Sequence, residues 1–266
     1  MFLIIDITTK NLLLACFSIC IVNLTILFLY DFKNAKELGI NKTKYSNKVN
    51  NTLLKIGFAT FVLSFLSQYI INASRYAIDV LLTNDLQTIF GIIIMPATFM
   101  GLLCQYVTQP VLTRITQNIK DGKYTNLKKL ILKIFAIIIV LGIITFTGTY
   151  VLGIPILELI YGIPLSEYLI SLLIIIVGSI FYALEMFIST VLIAMRKTSL
   201  QALMYLGIAI FSTFISFKLV ESKEIIGASL AYFATMVAIT LVLLIYMIIS
   251  IEKNIKQENT KIFETK

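Results

Sequence analysis

The chain contains no histidine and no tryptophan, and only three of its 266 residues are cysteines. Without histidine, a Ser-His-Asp triad, a histidine metal site and a histidine proton shuttle are all excluded. Cys16, Cys20 and Cys104 lie in apolar runs, and they have neither metal-site spacing nor the pattern of a disulfide framework. We interpret them as small buried hydrophobic residues. The sequence therefore predicts no catalytic residues, no metal and no cofactor.

Charge is scarce as well, because only 14% of the residues are charged while 59% are apolar, and the mean hydropathy is +0.95. Soluble domains carry about 25% charged and roughly 45–50% apolar residues. This combination excludes a water-soluble globule, a disordered chain and a disulfide-rich secreted domain. At about 20 apolar residues per crossing, we predict an all-α integral membrane protein with about seven transmembrane helices.

Seven apolar stretches are long enough to cross a bilayer, and each is too long and continuous to be a strand. They lie at 11–30, 54–80, 87–113, 131–153, 167–195, 199–217 and 225–249. The Lys/Asn-rich segment 31–50 lacks an apolar period and is interpreted as a linker. The segment 153–168 carries prolines and acids but no cation, and it predicts a short, partly helical loop at the outer interface.

The cations fall mainly on alternate connections, and 18 of the 22 belong to this group. These are Lys33, Lys36, Lys42, Lys44, Lys48, Lys55, Arg114, Lys120, Lys123, Lys128, Lys129, Lys133, Arg196, Lys197, Lys253, Lys256, Lys261 and Lys266. Because cytoplasmic loops carry the excess of Lys and Arg, we predict an external N-terminus and a cytoplasmic C-terminus. The net charge of +8 is thus a topology signal, and it requires no nucleic-acid partner.

The second predicted span carries a polar stripe at spacings of 4, 4, 4, 3 and 4 residues, which places its members on one helical face. The members are Thr60, Ser64, Gln68, Asn72, Arg75 and Asp79. For Thr60 and Ser64 we favour helix packing, and for the other four we favour a water-filled pathway. The spacing allows Arg75 to pair with Asp79. The alternatives are that the whole stripe only packs, or that Arg75 snorkels to the outer interface.

The third span carries a second stripe together with two prolines. Its polar and small residues are Thr98, Gly101, Gln105, Thr108 and Thr113, with Gln109 beside them. Pro96 and Pro110 each remove a backbone hydrogen bond, and broken helices in transporters often mark a site or a hinge. We therefore take both as hinge candidates, with the alternative that Pro110 only marks the inner end of the helix.

The fifth span places Gly178, Tyr182, Glu185 and Ser189 on one face. Glu185 has no cation three or four residues away in either direction. Two interpretations stay open: a carboxylate that couples transport to protons or sodium, and a protonated glutamic acid hydrogen-bonded between helices.

Several short motifs resemble those of the polysaccharide-biosynthesis transporters, the bacterial flippases for lipid-linked oligosaccharides. That family shares a superfamily with the multidrug and toxin extruders. The motifs are RYAID at 75–79, the acidic and QxxFG run at 85–91, MPA at 95–97, QPVLTR at 109–114 and GIPILELIYGIPLSEY at 153–168. The resemblance covers most of residues 50–250 in helix order and loop length.

The resemblance implies a fold of two six-helix lobes around a central cavity, of which this chain matches only the second. It assigns 1–30 to the last helix of a missing N-terminal lobe, 31–53 to a basic cytoplasmic connector, 54–250 to the C-terminal lobe and 251–266 to a cytoplasmic tail. It also implies export of an undecaprenyl-diphosphate-linked glycan across the bacterial cytoplasmic membrane by alternating access. The expected partners are the lipid bilayer, the lipid-linked glycan, and a first-lobe polypeptide or a second copy.

Carried over to this sequence, the family's diphosphate-binding cations correspond to Arg75. Gln68, Asn72, Asp79 and Gln105 complete the candidate substrate-binding set. Three alternatives stay open: efflux of amphipathic cations, a truncated fragment without transport, and an assembly subunit. A membrane-embedded polymerase or acyltransferase is disfavoured, because the chain offers neither a large polar outer loop nor a His/Asp pair.

Overall fold

A computed structural model describes residues 12–31, 33–34 and 47–264. The regular structure of these residues is helical throughout, which confirms the all-α class. The chain divides into two compact units, Met1–Leu54 and Lys55–Lys266. Most of the predicted connector and both chain ends fall outside the described residues.

Helix α1 of the first unit spans Leu12–Ile26 and continues as a π-helix over Leu27–Asp31. It matches the described part of the first predicted span. Helix α2 spans Asn47–Leu81. Residues 47–53, which the sequence assigns to the connector, are therefore helical.

The second unit continues with a series of long helices. They are α3 (Asn84–Ile93), α4 (Met95–Lys120), α5 (Tyr124–Gly148), α6 (Ile154–Tyr161), α7 (Leu169–Ala194) and α8 (Thr198–Glu264). A π-helical turn, Thr149–Gly153, joins α5 to α6, and a 3₁₀ turn, Ser166–Tyr168, precedes α7. Because Glu224 (φ 48°, ψ −125°) breaks α8, we call 198–223 its N-arm and 225–264 its C-arm. As predicted, the segment 153–168 is partly helical.

After α4, each of the four connections between long helices contains one residue with positive φ: Gly122, Gly162, Arg196 or Glu224. Such a residue ends a helix and lets the following N–H groups bond back to its last carbonyls. At Arg196 these bonds are Arg196 N–H to the Ile193 carbonyl, 2.9 Å, and Lys197 N–H to the Leu192 carbonyl, 3.0 Å. Long helices joined by such short connections run antiparallel. The direction of the helix axis therefore reverses from α4 to α5, from α5 to α7, from α7 to the N-arm, and from the N-arm to the C-arm.

Four helical segments of the described chain are long and apolar enough to cross a membrane, and they indicate a membrane protein. They are Asn84–Lys120, Tyr124–Tyr161, Ser166–Ala194 and Thr198–Ile255. The last has 58 residues, which is enough for two crossings at about 20 residues each. The predicted count of seven is not reproduced. Among the described residues, α2 is not one of these four segments, and the first span is represented by a shorter apolar helix, Phe17–Asp31.

Helix α7 lies at the centre of the second unit, where it packs against α4, α5 and both arms of α8. Its buried residues therefore occur on more than one face, for example Leu172, Ile175 and Phe187. The crossing with the C-arm is close at Gly178. A Cβ at this position would lie 2.9 Å from the Tyr232 ring and 3.2 Å from the Phe233 Cα.

Candidate functional site

The polar face of α2 is positioned by hydrogen bonds that α2 makes with the N-arm. Tyr69 Oη and Thr213 Oγ1 lie 2.7 Å apart, and the hydroxyls of Ser74 and Ser216 lie 3.4 Å apart. Because Ser74 is buried and Arg75 is the next residue along the helix, these contacts fix the rotation of α2 about its own axis.

A cavity of about 300 Å³ lies where α2, α4, α7 and the C-arm meet. Four of the five predicted substrate-binding residues line it: Gln68, Asn72, Arg75 and Gln105. Thr98 and Gly101 of the third-span stripe are also in the wall, as are Tyr182, Met186 and Tyr232. The two stripes identified from helical spacing therefore face one another across a common space. We call this space the central cavity.

The wall formed by α4 is fixed against α7 by two close contacts. The Cys104 thiol donates to the Ala183 carbonyl over 3.0 Å. One turn earlier, Gly101 leaves room for Tyr182, since a Cβ at Gly101 would lie 2.9 Å from Tyr182 Cε1. The glycine thus allows an aromatic ring into the wall between α4 and α7.

Arg75 is the only charged side chain among the described residues that line the central cavity. Its Nη1 donates to Asn72 Oδ1 over 3.3 Å, while Asn72 Nδ2 donates to the Gln68 carbonyl over 2.9 Å. Asn72 is therefore held by its own helix with its oxygen toward the guanidinium. The Nε atom of Arg75 is buried without a hydrogen-bond partner. Part of the donor fork of Arg75 is thus unused.

Two further cavities adjoin the central one. One, of about 420 Å³, shares Arg75 with it and includes Gln87 and Thr88. The other, of about 340 Å³, shares Gln105 and includes Gln109. Thr108 and Thr190 also line this second cavity. The three cavities form a row along α4, which we call the polar path. Arg75 is again the only charged group among the described residues that line it.

Asp79 lies outside the central cavity, and the pair with Arg75 that the spacing allows is not formed. Its Oδ1 instead accepts a hydrogen bond from Gln87 Nε2 over 2.8 Å. The reason is local, because α2 ends at Leu81 and α3 returns Gln87 to the last turn of α2. Arg75 and Asp79 thus have separate neutral partners.

Glu185 is buried, with 3% of its surface exposed, and it does not itself line the polar path. Its Oε1 accepts a hydrogen bond from the Tyr205 hydroxyl of the N-arm. One turn along α7, Gln201 Nε2 donates to Ser189 Oγ over 2.6 Å. This geometry is a hydrogen bond between helices, and the protonation of Glu185 stays a prediction. Its role in ion coupling stays a prediction. Sequence reasoning missed Tyr205, although an isolated hydroxyl in an apolar helix indicates a polar partner.

The two prolines occupy different positions in α4. Pro96 is the second residue of α4, two residues after the N-cap Ile94 (φ −85°, ψ −11°), where a missing N–H costs no helix bond. Pro110 lies inside the helix, which continues to Lys120. Pro110 therefore does not mark the end of α4.

The remaining stripe members Thr60, Ser64 and Thr113 are exposed and line none of the three cavities.

No family model, no curated protein and no solved structure matches this chain. Two kinds of observation bear on its function: the short motifs quoted above, and the geometry of the polar path. Four of the motifs contribute residues to this path: RYAID contains Arg75, the run at 85–91 contains Gln87, MPA contains Ala97, and QPVLTR contains Gln109.

Proposed function

We propose that this chain is a component of a transporter that moves an undecaprenyl-diphosphate-linked oligosaccharide across the bacterial cytoplasmic membrane. The observation that carries the proposal is the central cavity, in which Arg75 is the sole charge among the described lining residues and stands beside amide and hydroxyl groups. The diphosphate binds at Arg75, and the polar path accommodates the glycan by hydrogen bonding. No covalent step is required of the protein.

The charge of the cavity favours an anionic substrate group. A guanidinium presents several N–H donors in a fixed plane, which suits the oxygens of a phosphate. Among the described residues, Nη1 of Arg75 has an acceptor at 3.3 Å, and the buried Nε has none. A bound diphosphate would satisfy these donors, and it would neutralise a cation that is costly to keep among apolar helices.

Efflux of amphipathic cations is the less favoured function, because a cation requires acceptors of negative charge. The two nearest candidates in the sequence are engaged elsewhere, Asp79 with Gln87 and Glu185 with Tyr205. No carboxylate lines the polar path among the described residues.

The transport cycle we propose is alternating access in a multi-pass protein with its N-terminus outside and its C-terminus in the cytoplasm. The break before Pro96 and the proline within α4 are the candidate hinges, since α4 carries one wall of the polar path. Glu185 is the candidate coupling group. Glu185 does not line the central cavity itself, but two residues close to it on α7, Met186 and Tyr182, do.

In this proposal, a second polypeptide covers the polar path. Gln68 and Gln105 are exposed in the isolated chain, and polar groups that face hydrocarbon without partners cost several kcal/mol each. A first-lobe polypeptide or a second copy of the chain would supply the missing wall. In a second copy, Arg75 would be contributed twice.

The first prediction tests the role of Arg75 and uses another arginine of the chain, Arg114, as the control. In a flippase-deficient cell that also carries the first-lobe polypeptide, we expect Arg75→Ala and Arg75→Lys to abolish glycan export. Lysine keeps the charge but loses the donor fork. Arg114→Ala is the control, because Arg114 is exposed on α4 and lines none of the three cavities. The measurements are surface glycan and the amount of protein in the membrane.

Binding of a short-chain polyprenyl diphosphate to the purified protein gives a second readout that does not depend on export. We expect binding to weaken by about tenfold in Arg75→Ala, the factor that corresponds to about 1.4 kcal/mol. It should be unchanged in Arg114→Ala. Normal export and normal binding by Arg75→Ala would refute the proposal. Absence of export in every combination, with no diphosphate binding by the unmodified chain, would favour a fragment without transport.

A further inference from the structure

An apolar groove of about 430 Å³ lies between α5 and the C-arm. None of its lining residues belongs to the polar path. Its floor is formed by the buried residues Ile131, Met247 and Ile251. Its rims are formed by Leu132, which is 59% exposed, and by Ile248, which is 44% exposed. The groove is thus deep, apolar and open to its surroundings.

One end of this groove carries two opposite charges, Lys128 on α5 and Glu252 on the C-arm. They lie at the same end because α5 and the C-arm run antiparallel. Lys128 stands close to the start of the candidate membrane segment Tyr124–Tyr161, and Glu252 stands close to the end of Thr198–Ile255. In the topology proposed above, in which these segments cross the membrane, the charged end lies at the depth where lipid headgroups meet the hydrocarbon.

The two charges do not neutralise one another. Both side chains are exposed, and the only ion pair among the described side chains joins Lys123 to Asp121. A cation and an anion thus stand apart at the mouth of an apolar groove. This arrangement is complementary to a ligand with one negative charge, one positive charge and a long hydrocarbon chain.

We propose that this groove binds one phosphatidylethanolamine molecule. An acyl chain lies along Ile131 and Met247, the lipid phosphate contacts Lys128 Nζ, and the primary ammonium donates to the Glu252 carboxylate. Both contacts are charge-assisted hydrogen bonds, which are about twice as strong as neutral ones. Phosphatidylglycerol would place an anion at the groove with nothing to pair Glu252. Phosphatidylcholine has no N–H to donate.

The test measures retained lipid by native mass spectrometry on the full chain, purified in detergent and mixed with each of the three lipids in turn. We expect phosphatidylethanolamine to be retained about tenfold more than either of the others. Lys128→Gln and Glu252→Gln should each lower its retention by about the same factor, because each removes one charged contact.

Matched controls separate the groove from general lipid binding. Lys129→Gln and Glu221→Gln remove exposed charges outside the groove and should leave retention unchanged. Ile248→Trp should fill the groove and lower retention. Ile245→Trp, at a position 59% exposed that does not line the groove, should not. Because all these positions are exposed, the variants are expected to fold, and their melting temperatures check this.

Two results would overturn the proposal. Equal retention of the three lipids by the unmodified chain would mean that the groove does not select a headgroup. Loss of retention in Lys128→Gln with none in Glu252→Gln, together with a preference for phosphatidylglycerol, would make it a site for anionic lipids.

Discussion

Arg75 and Glu185 are both ionisable residues within helices, but the structure gives them opposite surroundings. Arg75 is half-buried in the central cavity, and its guanidinium donates to the side chain of Asn72, three residues earlier. Glu185 is enclosed between α7 and the N-arm, and it is held by the Tyr205 hydroxyl. Arg75 thus lines a cavity, whereas Glu185 lies between two helices.

The contact between Glu185 and Tyr205 leads to a prediction about stability. Tyr205→Phe removes the donor and leaves a buried carboxyl oxygen unsatisfied, which should lower the free energy of unfolding by about 1–3 kcal/mol. Glu185→Gln keeps an acceptor oxygen at the same place and should cost less. Tyr150→Phe is the control, because Tyr150 is 60% exposed. Unfolding of the purified variants in mixed micelles measures all three.

The same variants distinguish a purely structural role of Glu185, in which it only joins two helices, from a role in ion coupling. If Glu185 couples transport to an ion, Glu185→Gln removes the dependence of export on the ion gradient while the protein stays folded. If it only joins helices, export by Glu185→Gln follows its stability. Equal stability of Tyr205→Phe and the unmodified chain would argue against the hydrogen bond itself.

At the scale of the helix, the residues that helical spacing predicts well are those in the middle of long elements. The stripe on α2 brings Gln68, Asn72 and Arg75 into one cavity because a continuous helix preserves its period. The pairing with Arg75 that the spacing allows is not formed by Asp79, which stands in the last turn of α2. There the next element, α3, brings in Gln87, and helical spacing within α2 carries no information about it.

The break in α8 shows the same limit. The charged run from Lys218 to Glu224 suggests a connection of several residues. In the structure the helix continues through it, and only Glu224 leaves the helical conformation. Gly227 makes this tight reversal possible, because a Cβ there would collide with the Leu219 carbonyl. The sequence shows that residue 227 is a glycine, but it does not show that this residue contacts Leu219 across the bend.

The crossing of α7 with the C-arm gives a prediction at the level of the element. Gly178→Ala should destabilise the protein by about 1–3 kcal/mol, because the new Cβ would press on the Tyr232 ring and the Phe233 backbone. Gly207→Ala is the matched control. A Cβ at Gly207 meets nothing within 4 Å, so the gain in helix propensity should leave stability unchanged or raise it by roughly 0.5–1 kcal/mol. Thermal unfolding in detergent measures both.

Because Tyr232 also lines the central cavity, Gly178→Ala should weaken binding of the polyprenyl diphosphate as well. Gly207→Ala should not. Equal effects of the two substitutions on stability would mean that the two helices are not in close contact at Gly178.

At the scale of the whole molecule, the alternation of helices and the distribution of cations point to the same arrangement. The turns at 121–123 and 195–197 carry cations. Counting reversals along the antiparallel series places both turns at one end of the helices, and the turn at 162–168 and the break at Glu224 at the other. The alternation comes from backbone geometry, whereas the charge bias comes from how loops cross the membrane during insertion. The agreement between two unrelated causes supports a topology that can be measured directly.

The last prediction is this topology, tested with single cysteines in a background without Cys16, Cys20 and Cys104. Cysteines at Lys123 and Lys197 should react with a membrane-impermeant reagent only after the cells are opened. Cysteines at Ser166 and Glu221 should react in intact cells. All four positions are exposed, so burial in the protein does not limit labelling. Labelling of Lys123 in intact cells would reverse the orientation. Labelling of Glu221 only in opened cells, with Ser166 labelled in intact ones, would mean that the N-arm does not cross the membrane.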